Sequence, residues 1–117
     1  MLSSLDVALG DTLKTQGIGG AALLDAVTGL SYGELGDVSG SQDACDIADI
    51  ARTRLHQAGA EGDLESVIVT TATRHLVTLQ VERTGDPLLL CATVDRDRTN
   101  ITWALRDLAQ HADDLLR

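Results

Sequence analysis

Aromatic side chains are almost missing from this 117-residue chain, which has one Trp, one Tyr and no Phe. Any core must be built from Leu, Val, Ile and Ala, and a single-strand nucleic-acid platform, which needs stacking rings, is disfavoured. Basic residues are scarce as well. Nine Lys and Arg stand against eighteen Asp and Glu, a formal charge of −9. Phosphate backbones and anionic membranes need a basic surface, so neither is an expected partner, whereas a basic protein partner suits. Cys45 and Cys91 are the only cysteines and have no CxxC or zinc spacing. They read as two buried free thiols in a reduced compartment. No run approaches the ~20 apolar residues of a membrane span. MLSSLDVALGDTLK lacks the charged start and apolar centre of a signal peptide, so the expectation is a cytoplasmic protein.

Catalytic motifs are lacking too. His56, His75 and His111 form no HExxH, there is no GxSxG elbow, and neither cysteine lies beside a histidine. Lys14 is the only lysine, and no GxxxxGK[ST] loop exists. Gly17-Ile18-Gly19-Gly20 opens a strand-like run, whereas a dinucleotide fingerprint needs its glycines between strand and helix. Neither an enzyme nor a cofactor or metal site is expected.

What the chain does have is organised around residues 17–36, GIGGAALLDAVTGLSYGELG. Two strand-like runs, Ile18–Leu24 and Leu30–Leu35, flank a short link containing Gly29, which predicts a β-hairpin with φ > 0 at that glycine. Before it, Leu2, Leu5, Leu9 and Leu13 line one face of a helix over 2–16, with Ser3 and Asp6 in capping-box positions. After it, GDVSGS links to a helix over 41–58 that Ser39 or Ser41 can cap. Its acids come early and its bases late, as the helix dipole favours. Ala44, Ile47, Ala48, Ala51, Leu55 and Ala58 form its packing stripe, and Ile50 points off it. Three strand runs then follow in a meander: Glu65–Ala72, His75–Glu82 and Leu88–Asp95. The run at 65–72 contains no Lys or Pro, so at a sheet edge it would be unprotected. The last segment, 100–117, predicts a helix capped by Thr99 or Asn100, with Ile101, Leu105, Leu108, Ala112 and Leu115 inward. Trp103 falls nearly opposite that stripe, as a partner anchor or packed under the 95–98 turn or against the first helix.

The order helix, two strands, helix, three strands, helix, together with the hairpin's Asp25 and Gly29, the small-residue helix 41–58 and the helix opening at Asn100 after LLLCATVDRDRT, resembles the roadblock/dynein light chain family. The likeness spans the whole chain and implies a single roadblock-like domain over 1–117. It implies an α/β (α+β) sandwich of profilin-like architecture, with a five-stranded antiparallel sheet in which 18–24 and 88–94 are central. The outer helices would cover one face and helix 41–58 the other. It further implies a non-enzymatic homodimer, paired through Glu65, Val67, Ile68, Val69, Thr70 and Thr71 with Ala48 and Ala51 nearby. The implied partner is a small Ras-like GTPase, regulated or scaffolded through Asp46, Ile50 and Arg54. The alternative is a small-ligand sensor of profilin- or PAS-like architecture, with room for a ligand over Gly19–Ala22.

Overall fold

The computed structural model describes residues 4–38, 40–60, 64–83 and 86–115. Eight elements run in the expected order: α1 (Ser4–Thr12), β1 (Ile18–Asp25), β2 (Ser31–Gly36), α2 (Ser41–Gln57), β3 (Ser66–Thr70), β4 (Arg74–Arg83), β5 (Asp86–Asp95) and α3 (Ile101–Leu115). The five strands form one antiparallel sheet in the order β2-β1-β5-β4-β3.

The central strand explains the layering. β5 reads DPLLLCATVD, apolar on both faces, and is buried from Leu88 to Val94. Leu88, Leu90, Ala92 and Val94 point to one side, where they meet Leu9 of α1 and Ala104, Leu108 and Ala112 of α3. Leu89 and Cys91 point to the other, where Ala22 and Leu24 of β1 meet Ala44, Cys45 and Ala48 of α2. Strand alternation thus distributes one sequence between two helical layers. The buried apolar residues of the described chain are Leu, Ile, Val, Ala and Cys, so the core contains no aromatic ring. Small residues on both sides of the α2 contact let the helix lie close over β1 and β5.

Helix ends follow local chemistry. Asn100 Oδ1 accepts from the N–H groups of Thr102 (2.8 Å) and Trp103 (3.4 Å), capping α3. α2 closes on a Schellman motif: Gly59, with φ 73°, donates to the His56 carbonyl and Ala60 to the Leu55 carbonyl. Its start differs from the expected serine cap. Gly40 occupies the N-cap with φ 88° and no side-chain cap bond, while Ser41 is already helical. The chain reverses from β2 into α2 within a few residues, and that turn needs a left-handed position which serine avoids. Ser3 and Ser39 lie outside the described residues. α1 also stops sooner than the leucine spacing predicts. After Thr12 the bonds tighten to i→i−3 at Lys14 and Thr15, and Gly17 at φ 90° swings the chain into β1.

Candidate protein-interaction site

The β1–β2 turn is fixed by one carboxylate. Asp25 Oδ1 accepts from the N–H groups of Val27 (2.8 Å) and Thr28 (2.9 Å), and Oδ2 accepts from the Tyr32 hydroxyl (3.3 Å). Those bonds, that from Thr28 first, hold the Asp25 carboxyl below its ordinary 3.8. Gly29 sits at φ 77°, the positive value that the turn requires. On the α2 side of the sheet, Cys45 and Cys91 are buried free thiols. Burial pushes both upward, Cys91 to about 11, and Cys45 Sγ donates to the Ala26 carbonyl at 3.0 Å. Among the described residues no three His, Cys, Asp or Glu side chains converge as metal ligands.

α2 carries the most distinctive surface. Asp46, Ile50 and Arg54 follow one another at four-residue steps, so they stand in a row along one helix face. All three are exposed, Ile50 by 62%. A cleft of about 420 Å³ lies on the row itself, lined by Asp49, Ile50, Thr53, Arg54 and Gln57, and one of about 430 Å³ lies between the helix and the sheet, bordered by Arg52, Leu55, His56, Leu64 and Gln80. Arg52 ties the helix to the sheet, donating to Asp49 Oδ1 (2.7 Å) and Gln80 Oε1 (2.8 Å). The packing stripe read from the sequence is half right. Ala44 and Ala48 are buried, Ile47 and Ala51 half-buried, but Leu55 is 44% exposed and Ala58 is open. The helix departs from the sheet toward its C-terminus, where no helical period can register the divergence.

β3 lies at the sheet edge and pairs only with β4. Ile68 and Val69 are 38 and 36% exposed, Glu65, Thr70 and Thr71 are exposed, and Val67 is half-buried. Ala51 lies half-buried on the helix above, whereas Ala48 is only 2% exposed and belongs to the protomer's own core. β3 is shorter than the apolar run suggests. Thr71 leaves the ladder because its N–H and hydroxyl both bond the Arg74 carbonyl, closing the turn into β4.

Trp103 stands elsewhere. It is 62% exposed on α3, with the Arg106 guanidinium 5.3 Å from the ring centroid. It is therefore not packed under the 95–98 turn, and the sheet separates its layer from α2. Asp46, Ile50 and Arg54 come together; Trp103 does not join them. Sequence reasoning missed the exposure of Leu55, which lies on the helix face turned away from the row, and did not mark Val27, Leu30 and Tyr32, in and beside a turn, as exposed. The space between sheet and α2 at Gly20 amounts to about 20 Å³, room for one water.

No protein-family model matches the chain, and no curated protein matches it in sequence. Solved structures match it in shape. A Roadblock/LC7 domain from Streptomyces avermitilis superposes with a TM-score of 0.78 at 18% identity, over 97% of this chain and 95% of that one. The gliding protein MglB from Thermus thermophilus gives 0.77 at 14% identity, over 100 and 92%. An MglB in a tetrameric arrangement gives 0.78 at 15% identity, over 100 and 91%. Sheet order, helical layers and near-complete coverage agree with the resemblance read from the sequence, and the chain carries the Roadblock/LC7 fold.

Proposed function

We propose that this chain is a non-enzymatic, cytoplasmic regulatory or scaffold module that pairs with a second copy and binds a small Ras-like GTPase. The observation carrying the reading is the exposed row Asp46, Ile50 and Arg54 on a helix that adjoins a bare sheet edge. Antiparallel pairing of two β3 strands about Ile68 joins two sheets into one and brings two α2 helices alongside, with Ala51 and Leu55 facing the seam. The joint surface then presents two rows of acid, isoleucine and base, related by a two-fold axis. A Ras-like partner that docks there meets an apolar anchor between opposite charges, an arrangement that favours orientation and specificity. That an MglB of the same fold is found in a tetrameric arrangement supports self-association.

The experiment is a pull-down with the tagged protein from native lysate, in parallel with GDP and a non-hydrolysable GTP analogue, repeated with Ile50→Asp and Arg54→Glu. Enrichment of a small GTPase in one nucleotide state, lost in both variants, supports regulation; equal capture in both states supports a scaffold. Absence of any GTPase from all lanes contradicts the reading.

A further inference from the structure

Val27, Leu30 and Tyr32 are 76, 70 and 57% exposed, and no other stretch of the described chain opens three large apolar side chains so closely spaced. They do not hang on a loose loop, because the Asp25 carboxylate bonds two backbone N–H groups of the turn and the Tyr32 hydroxyl. Beside them runs β2, the outer strand on the side of the sheet farthest from β3, and its sequence SYGELG holds neither Lys nor Pro. The Asp37 N–H donates to the Gly19 carbonyl at 2.9 Å. With Ala21 opposite Leu35 and Leu23 opposite Gly33, the alternation of an antiparallel ladder then turns the N–H and C=O of Glu34 away from β1. The Glu34 carboxylate is exposed and makes no ion pair among the described residues.

We propose that the outer edge of β2 accepts an extended peptide by strand addition, with a basic side chain against Glu34 and apolar ones over Val27, Leu30 and Tyr32. Charge selects this occupant over a second copy. Antiparallel self-pairing centred on Glu34, whose N–H and C=O face outward, sets two Glu34 carboxylates directly opposite each other, whereas a basic peptide places a cation against the carboxylate. The backbone bonds supply register, and the ordered turn supplies an apolar platform already in place. The site stands independently of the α2 reading, since it uses the opposite edge of the sheet.

The test uses the full chain and an eight-residue peptide of alternating Lys and Val, fluorescently labelled. Its control has the four central amides N-methylated, so that it keeps the charge but cannot complete a ladder. Anisotropy gives affinity, and amide NMR maps the contact. The expected result is shift changes over residues 27–36 and slowed exchange of the Glu34 amide on binding. Affinity should fall at least tenfold both for the methylated peptide and for Glu34→Lys, which lies at an exposed position and leaves the fold intact. Equal binding of the two peptides, no binding of either, or shifts confined to β3 overturn the proposal. So does a Glu34 amide already protected without peptide and more so with protein concentration, which would assign the edge to a second copy.

Discussion

Gly20 and Gly36 face each other across β1 and β2, and neither has room for a side chain. A Cβ on Gly20 would run into the backbone of Asp37, and one on Gly36 into the Gly19 carbonyl, with Gly36 also at φ 73°. The two strands approach so closely here that the chain can leave β2 and turn toward α2. Gly20→Ala and Gly36→Ala should each lower stability by about 2 kcal/mol or more, since backbone must move in both. Gly10→Ala is the contrast: nothing lies within 4 Å of a Cβ there, and helix propensity favours alanine by about 1 kcal/mol. Urea denaturation of the three variants reads the order directly.

Asp25 gives a prediction at low pH. Its carboxyl is held below 3.8 by the Thr28 and Val27 N–H groups. The folded state therefore binds this proton less readily than the unfolded chain does. Its support of the turn is complete above the unfolded value and fades as pH falls through the folded one. Carbon NMR of the Asp25 carboxyl should give a midpoint below 3.8, and Asp25→Ala should remove that acid-range dependence and loosen residues 26–32. A midpoint at or above 3.8 contradicts the assignment.

Thiol reactivity follows from burial. With Cys91 pushed up to about 11, its thiolate is roughly one part in a thousand at pH 8, and burial under α2 shields Cys45, whose thiol is also pushed upward. A disulfide reagent should label neither at an appreciable rate until the chain opens, and two thiols per chain should react at once in denaturant. Rapid labelling of the native protein would contradict the packing of α2 over β5.

Trp103 should behave as a solvated indole. At 62% exposure it contributes little to the core, so Trp103→Ala should change stability by no more than about 0.5 kcal/mol. Emission near that of free tryptophan and efficient acrylamide quenching are the expected signals. Leu108, fully buried between α3 and the sheet, is the counterpart: Leu108→Ala should cost about 2–5 kcal/mol.

The architecture was legible because its signals are periodic. Leu105, Leu108 and Ala112 mark one face of α3, and the unbroken apolar run of β5 marks a strand covered on both sides. Asp25 and Gly29 announced the hairpin by chemistry that a tight turn requires. What periodicity cannot carry is where one element leaves another. Leu55 continues the stripe of Ala44 and Ala48 in sequence, yet it ends exposed because α2 diverges from the sheet. Trp103 was placed on the correct helix face, but whether a neighbouring loop covers that face depends on tertiary packing. Gly40 took the cap expected of serine because the path from β2, not the helix, dictates the φ there. The exposed trio of Val27, Leu30 and Tyr32 was readable in principle, since apolar residues in a turn have no core to enter.

The proposed sharing of one sheet by two copies is tested most directly by sedimentation equilibrium of the wild-type chain and of Val69→Asp at tens of micromolar. Val69 is 36% exposed on the edge strand, so the variant should fold as the parent does. The wild type should sediment at twice the chain mass, and the variant at the mass of one chain. A wild type that remains a single chain, or a variant that still pairs as tightly, would place the dimer contact elsewhere than β3 or remove it.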